Sequence, residues 1–276
     1  MATATKAKPK RRAKPDPAKT WVKRLDKTRP ALMEDTLAAL RQMYGTPTWQ
    51  RVYDPTSELI LTMLSANSAD INAEKAFDLI CRRWPAQSSV AKDGRPPLFR
   101  SGWGGVGINE TSADWAAVEF ADIGELTDVI RPGGLANQKA PRIQAALRHI
   151  REQRGDYSLE FLGEMTPSDA LAWLTQVNGI GRKTASVVLL FSFGKPLMPV
   201  DRHIERVAMR IGLIPKKIAN TEQMHDMLQA QLTEINVHQA HINLITHGRQ
   251  TCHAQRPEHE RCAIADRCRF FNAKAP

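Results

Sequence analysis

A lysine and an aspartate stand at either end of one apolar segment in the second half of the chain. Lys183 comes just before the apolar run 185–193, and Asp201 follows 18 residues after Lys183, beyond a Gly-Lys-Pro break at 194–196. An uncharged lysine amine is a nucleophile that forms covalent intermediates with its substrate. A carboxylate stabilises the positive charge that develops during such a reaction. The pair therefore predicts amine chemistry, provided that the fold brings the two side chains together.

The segment before Lys183 predicts a grip on phosphate. Its sequence VNGIG (177–181) alternates apolar residues with two glycines, which permit a tight turn and a close approach of the backbone to a ligand. The amides at the start of the next helix are donors that favour anions. Each feature is weak alone, because such hairpins are common, a single lysine is usually solvated, and Asp201 also fits the N-cap of the run 202–207. Their combination favours chemistry on a nucleic acid.

The same residues resemble a known family. They are similar to the helix–hairpin–helix DNA glycosylases, most closely the endonuclease III branch, and the likeness covers roughly residues 30–270. The segments that carry it are LSANSAD (64–70), GLANQKA (134–140), GIGRKTA (179–185), VDRH (200–203) and HGRQTC (247–252). The resemblance implies an all-α, two-domain helix–hairpin–helix fold with a C-terminal metal-cluster loop.

By this resemblance the protein is a base-excision DNA repair glycosylase with AP lyase activity, acting as a monomer on damaged double-stranded DNA. Lys183 would attack the sugar C1′ of an oxidised pyrimidine nucleotide, hold the sugar as a Schiff base and nick the strand by β-elimination. Asp201 would balance the positive charge and help to move protons. The helix start, the neighbouring Arg182 and burial are each expected to lower the pKa of Lys183, as this reaction requires.

The resemblance also implies contacts that grip and open the duplex. An enzyme that acts at C1′ turns the nucleotide out of the stack, and a side chain must fill the gap. Leu135 corresponds to the apolar wedge, although it also fits ordinary loop packing, and Asn67 stands where the family carries a longer glutamine. The residues that the resemblance assigns to DNA binding are Gly179, Ile180, Gly181, Arg182, Thr184, Asn67 and Leu135.

Three of the four cysteines lie near the C-terminus, whereas Cys81 falls in an apolar helical pattern and is expected to be a buried small residue. Cys252, Cys262 and Cys268 fit three positions of the family motif C-x6-C-x2-C-x5-C, and His259 takes the second position. Because the spacing is preserved, we expect a [4Fe–4S] cluster with Cys3His ligation. Zinc is the weaker alternative, and a third is that His259 is a loop residue and the metal site is lost.

The positive charge is concentrated at the N-terminus. The chain has a formal net charge of +10, and residues 1–30 contain eleven Lys and Arg but only two Asp. The first half of this arm is interrupted by proline and poor in large apolar residues, so we expect residues 1–30 to be disordered. The arm fits a tether that adds salt-sensitive affinity for DNA. A solubilising tail and an address signal are the alternatives.

Apolar residues recur at helical spacing along the chain, which predicts an all-α fold. After the arm, we expect one domain from 31–55 and 201–276 that carries the metal loop. A six-helix barrel over 56–200 forms the other, with a surface insertion at 86–120. No apolar run is long enough to span a bilayer, and few cysteines fit a reducing compartment. These features predict a cytoplasmic, nucleoid-associated protein without a membrane partner.

Two other functions stay open. A non-catalytic helix–hairpin–helix protein that recognises damaged or branched DNA would explain why Asn67, Asn178 and His259 depart from the family pattern. A zinc-stabilised basic regulator is the weaker alternative. The presence of both Lys183 and Asp201 favours the enzyme, since a protein without catalysis has no need to keep that pair.

Overall fold

A computed structural model describes residues 16–86, 112–218 and 220–273. Over these ranges the chain is helical, and the one extended pairing is an isolated bridge between Pro85 and Ala113. The all-α prediction is confirmed there. The helices are α1 (Pro17–Thr28), α2 (Leu32–Tyr44), α3 (Pro55–Ser65), α4 (Asp70–Arg83), α5 (Trp115–Phe120), α6 (Ile123–Val129), α7 (Ala136–Arg154), α8 (Pro167–Leu174), α9 (Arg182–Phe193), α10 (Arg202–Ile211), α11 (Thr221–Gln229), α12 (Val237–Gln250) and α13 (Arg269–Asn272).

Local sequence sets the ends of the helices that position the site. Helix α3 begins where the Asp54 carboxylate accepts hydrogen bonds from the amides of Thr56 and Ser57, which satisfies donors that the helix itself leaves free. Helix α9 ends at Gly194, whose φ of 65° lies in the left-handed region that glycine adopts without strain. The chain can therefore reverse direction and lead from α9 into α10.

Apolar side chains form two cores. The first is enclosed by α3 to α9 and is centred on residues such as Phe77, Ile143 and Leu147, which have no exposed surface. The second joins α1 and α2 to α10, α11 and α12, and includes Leu40 and Leu244. Helix α9 contributes to both cores, because Leu189 packs in the first and Leu190 in the second. Within the described part, no helix has the length and apolarity needed to cross a bilayer.

The structure corrects the predicted boundary of the N-terminal arm. Residues 17–28 form α1 instead of a disordered segment, and residues 1–15 lie outside the described residues. Leu25 is buried in the second core, and the indole Nε1 of Trp21 donates to the Leu213 carbonyl oxygen at 2.7 Å. An apolar stripe within a basic composition is sufficient to anchor this helix.

The predicted surface insertion at 86–120 is also too long. Trp115 and Val118 are buried in the first core, so helix α5 packs against the domain and is not part of a surface insertion. The buried Glu119 carboxylate accepts from Arg151 Nε and Nη2, both at 2.8 Å. The remainder of the predicted insertion, 87–111, lies outside the described residues.

Replacing Leu25 tests whether α1 is part of the folded protein. Leu25→Ala removes a buried side chain and is expected to lower the free energy of unfolding by roughly 2–5 kcal/mol. The exposed neighbour Lys23 supplies the control, since Lys23→Ala should change it by less than about 0.5 kcal/mol. Urea denaturation measures both variants. Equal stability of Leu25→Ala and the wild type would contradict the packing of α1.

Candidate active site

Lys183 lies in the first turn of α9, directly after the glycine hairpin. The turn is closed by the Ile180 amide, which donates to the Val177 carbonyl oxygen at 3.0 Å. Gly179 has a φ of +88°, a conformation that favours glycine. Gly181 is the N-cap and supplies no side-chain acceptor to the first amides of α9. These amides therefore remain available to an anion at the helix start.

Burial lowers the pKa of the Lys183 ammonium below its ordinary value. Asp201, then Asp70, then Glu58 oppose this effect, and the positive charge of Arg249 reinforces it. The charges of three carboxylates, from α3, α4 and the start of α10, therefore act on the amine. Arg249 is itself fixed, because its Nη2 lies 2.7 Å from Asp70 Oδ2.

The cation that acts on Lys183 is Arg249 rather than the adjacent Arg182, which the sequence had suggested. The Arg182 guanidinium points to α11, where its Nη1 lies 2.7 Å from Asp226 Oδ1 and 3.1 Å from Glu222 Oε2. Neighbours in sequence on a helix point in different directions. Arg182 consequently braces the hairpin against α11, and its predicted contact with DNA stays a prediction.

Asp201 fits both roles that the sequence suggested for it, the N-cap of a helix and a charge that acts on Lys183. Its Oδ1 accepts from the Ile204 amide at 2.8 Å, as the N-cap of α10. Its charge also acts on Lys183. The cap fixes the carboxylate whose charge acts on the amine, so one hydrogen bond orients a chemical group as well as starting a helix.

Two buried titratable groups near Lys183 escaped the sequence analysis. Burial raises the pKa of Glu58 to about 7, and its Oε1 accepts only a long bond, 3.3 Å, from Thr62 Oγ1. Burial also lowers the pKa of His241 to about 4, so its ring is neutral at physiological pH. Glu58 could have been found from the sequence, because it is the single carboxylate in the largely apolar stretch 57–64. Only the fold brings His241, from α12, to the site.

The two residues predicted to open the duplex share an unusual backbone conformation. Asn67 has a φ of 54° and Leu135 a φ of 53°, both in the left-handed region. This conformation costs a non-glycine residue of order 1 kcal/mol and often marks a functional position. The Leu135 side chain is 47% exposed, a large fraction for leucine. Both side chains lie on short loops, between α3 and α4 and directly before α7.

The remaining hairpin residues have different surroundings. Ile180 is buried in the first core, so it holds the hairpin instead of facing solvent. Around Gly181 an added Cβ would meet no atom within 4 Å, which leaves room for a ligand to approach the backbone. Thr184 is half-buried in the first turn of α9. The structure thus separates residues that shape the hairpin from those that present its surface.

The predicted metal ligands surround one small cavity at the end of α12. Cys252, His259, Cys262 and Cys268 all line it. Arg210 Nη1 donates to the Cys252 Sγ at 3.3 Å, a contact that favours the thiolate form of a ligand. The His259 ring lies against Phe271, with ring centroids 4.8 Å apart.

Three thiols and one imidazole form a donor set that a [4Fe–4S] cluster accepts. Among the described residues, no three His, Cys, Asp or Glu side chains converge closely enough to hold one metal ion. A tetrahedral zinc site requires such convergence. In a four-iron cluster each iron takes one protein ligand, and these four side chains line the same cavity.

Comparisons with known sequences agree with this geometry. Residues 60–234 match the family model described as HhH-GPD superfamily base excision DNA repair protein. Endonuclease III of Escherichia coli is 32% identical over 238 residues, which cover 86% of this chain and 94% of that protein. The DNA glycosylase/AP lyase ROS1 of Arabidopsis thaliana is 29% identical over 214 residues, or 72% of this chain. The chain spans between 9% and 15% of the length of the plant relatives that it matches.

Solved structures share the fold. A non-covalent endonuclease III–DNA complex superposes with a TM-score of 0.66 at 23% identity, covering 88% of this chain and 96% of that one. A thermostable thymine-DNA glycosylase superposes with a TM-score of 0.62 at 17% identity, covering 90% and 98%. The overall helical fold is therefore common to all three proteins.

The raised pKa of Glu58 predicts a pH dependence of stability. The folded protein keeps the Glu58 proton up to about pH 7, whereas a free glutamate releases it near 4.5, so the free energy of unfolding falls as pH rises through this window. Glu58→Gln cannot ionise and escapes this loss. Between pH 5 and pH 8 its stability relative to the wild type should therefore improve by roughly 2–3 kcal/mol.

Urea denaturation at several pH values measures this difference. The exposed Glu164 provides a control, because Glu164→Gln should follow the wild type at every pH. A Glu58→Gln curve parallel to that of the wild type would mean that Glu58 is ionised throughout.

Proposed function

Because the chain belongs to the HhH-GPD superfamily of base excision DNA repair proteins, we propose that it is a bifunctional DNA glycosylase and AP lyase. Its substrate is double-stranded DNA that contains an oxidised pyrimidine. The observation that carries this proposal is the position of Lys183, a lysine of lowered pKa at the start of the hairpin helix and close to Asp201. Such a protein acts on chromosomal DNA, so we expect it in the cytoplasm with the nucleoid.

The chemistry begins at the Lys183 amine. Its lone pair attacks C1′ as the bond from C1′ to the base breaks, and the base leaves with the electron pair of that bond. The negative charge of Asp201 stabilises the positive charge that develops on the sugar. The nitrogen then gives up one proton, and its lone pair forms the C1′=N bond of a protonated Schiff base while the C1′–O4′ bond breaks and O4′ takes its electron pair and a proton. Removal of a C2′ proton then forms a C2′=C3′ double bond and expels the 3′ phosphate with the electrons of the C3′–O bond. This last step nicks the strand.

The surface around Lys183 supplies the grip on DNA. The amides at the start of α9 would hold a backbone phosphate, and Gly179 and Gly181 allow the strand to approach. Asn67 and Leu135 would enter the duplex from two loops and fill the space that the flipped nucleotide leaves. We place the DNA in the groove between the domain built on the first core and the domain built on the second.

We also propose that Cys252, His259, Cys262 and Cys268 hold a [4Fe–4S] cluster with Cys3His ligation. Such a cluster supplies four metal–ligand bonds that fix the fold of the loop around it. Arg206 and Arg210 of α10 attach this loop to the body. Their guanidinium groups donate to the carbonyl oxygens of Cys252 at 3.0 Å and His253 at 2.6 Å. The cluster therefore acts structurally, by keeping the loop against α10.

Borohydride trapping on duplexes that contain an abasic site or thymine glycol tests the chemistry. The wild type should form a covalent adduct, and Lys183→Ala should form none while it still binds DNA, because only the amine is lost. Lys75→Ala, at an exposed lysine of α4, should match the wild type. Tight binding without any wild-type adduct would overturn the enzymatic function and favour a non-catalytic damage-recognition protein.

Asp201→Asn separates the charge of this residue from its cap. Asparagine caps helices as well as aspartate does, so α10 should keep its stability and the melting temperature should stay within about 2 °C of the wild type. Loss of the charge should slow single-turnover base excision by about 100-fold or more. An unchanged rate would remove Asp201 from the reaction.

Metal analysis of the purified protein tests the cluster. Iron and inorganic sulfide should occur in equal amounts, with no stoichiometric zinc. Cys262→Ser should lose both elements because it removes a ligand, whereas Cys81→Ser should keep them. Cys81 is buried among apolar residues of the first core, and burial raises its pKa to about 12. Stoichiometric zinc without iron would contradict the proposal.

A further inference from the structure

A buried lysine outside the chemical site links the two loops that carry Asn67 and Leu135. Lys139 lies in the first turns of α7 and is only 5% exposed. Its Nζ donates to the Leu64 carbonyl oxygen at 2.5 Å and to the Gly133 carbonyl oxygen at 2.8 Å. Burial lowers its pKa. A lysine is buried at a considerable cost in free energy, so the bonds that it makes are expected to matter.

The two carbonyl groups stand at the roots of the two loops. Leu64 is in the last turn of α3, where a carbonyl group lacks a partner within the helix and a positive charge is favourable. Asn67 follows three residues later. Gly133 belongs to the 3-10 turn 131–133, and Leu135 follows two residues later. One ammonium group therefore ties the exit of α3 to the turn that precedes α7.

The packing around this contact leaves the roots little freedom. At Gly133 an added Cβ would lie 3.0 Å from the Ala76 Cβ of α4 and 3.8 Å from a methyl group of Leu64. The Lys139 amide also donates to the Leu135 carbonyl oxygen at 3.0 Å. The side chain and the backbone of one residue thus contact both loops, while Asn67 and Leu135 hold the strained left-handed conformation.

We propose that Lys139 is a positioning residue that holds Asn67 and Leu135 at a fixed separation, so that the two side chains enter the duplex together. The consequence of this inference, the opening of DNA, rests on the proposed function. The coupling of the two loops is independent of the proposed function. Lys139 takes no part in the reaction at C1′, because its ammonium group is enclosed by backbone carbonyls.

The chain offers a matched control. Lys195 is also buried, at 9% exposure, and its Nζ donates to the carbonyl oxygens of Gly163 at 3.1 Å and Met165 at 2.5 Å. It makes the same kind of contact at a different place, between the end of α9 and the turn before α8. Lys195→Met should therefore reproduce the general cost of removing a buried lysine without loosening the two loops.

Hydrogen exchange measures the coupling directly. In Lys139→Met the amides of 65–69 and 131–135 should both exchange at least about tenfold faster than in the wild type, because both carbonyl groups lose their donor. In Lys195→Met they should not change. Faster exchange in only one loop, or in neither, would overturn the coupling. If Lys139→Met fails to fold, Lys139→Gln takes its place, because the shorter side chain cannot keep both bonds of Lys139 Nζ. The same two segments should then exchange faster, and unchanged exchange in either would overturn the coupling.

Single-turnover excision of thymine glycol measures the consequence. Lys139→Met should slow excision from a fully paired duplex by about tenfold or more, and this defect should largely disappear when the lesion lies in an unpaired bubble, where opening costs less. A defect of equal size on both substrates would mean that Lys139 acts on the fold or the chemistry, and would overturn the positioning role. Absence of wild-type activity on both would instead refute the proposed function, and the exchange result would still decide the coupling.

Discussion

The proposed reaction places one central constraint on this protein, because Lys183 would have to lose its proton while it faces a polyanion. DNA phosphates raise the pKa of a nearby amine, and the carboxylates of Asp201, Asp70 and Glu58 act in the same direction. Burial is the main opposing effect, and Arg249 adds to it. Glu58 raises the pKa of Lys183 less than a fully charged carboxylate would, because a carboxyl group with a pKa of about 7 is partly neutral at physiological pH. Asp201 is the first of the three carboxylates that act on the amine, and in the proposed reaction it is the one that stabilises the charge on the sugar.

Helix α10 connects this electrostatic centre to the cysteine loop. Asp201 caps its first turn, while Arg206 and Arg210, further along the helix, donate to carbonyl groups of the loop at 252–254. A helix of ten residues is about 15 Å long, so the two sites are held at a fixed distance by one rigid element. The position of the loop and that of the catalytic carboxylate are thereby set by the same helix.

Much of this arrangement could be predicted from the sequence, because it depends on local pattern. Helical periodicity predicted the all-α class, and the hairpin glycines predicted the turn. The spacing of Lys183 and Asp201 predicted one helix between them. The parts that were missed depend on tertiary contacts or composition. The basic residues of α1 concealed the apolar stripe of Trp21 and Leu25. The partners of Arg182 are on α11, 40 or more residues away along the chain, and those of Lys139 are backbone carbonyl groups, which leave no mark in a sequence.

The left-handed conformation of Leu135 has a consequence for how DNA is searched. The folded protein already holds this strained conformation in the absence of DNA, so its cost in free energy is met by folding and not by the binding of DNA. In the proposed function, a protein that slides along the duplex through non-specific phosphate contacts would carry Leu135, its proposed wedge, already exposed. Leu135 would then probe each base step during a brief encounter with the DNA. A weakly stacked nucleotide would leave the stack, whereas an intact nucleotide would stay in it.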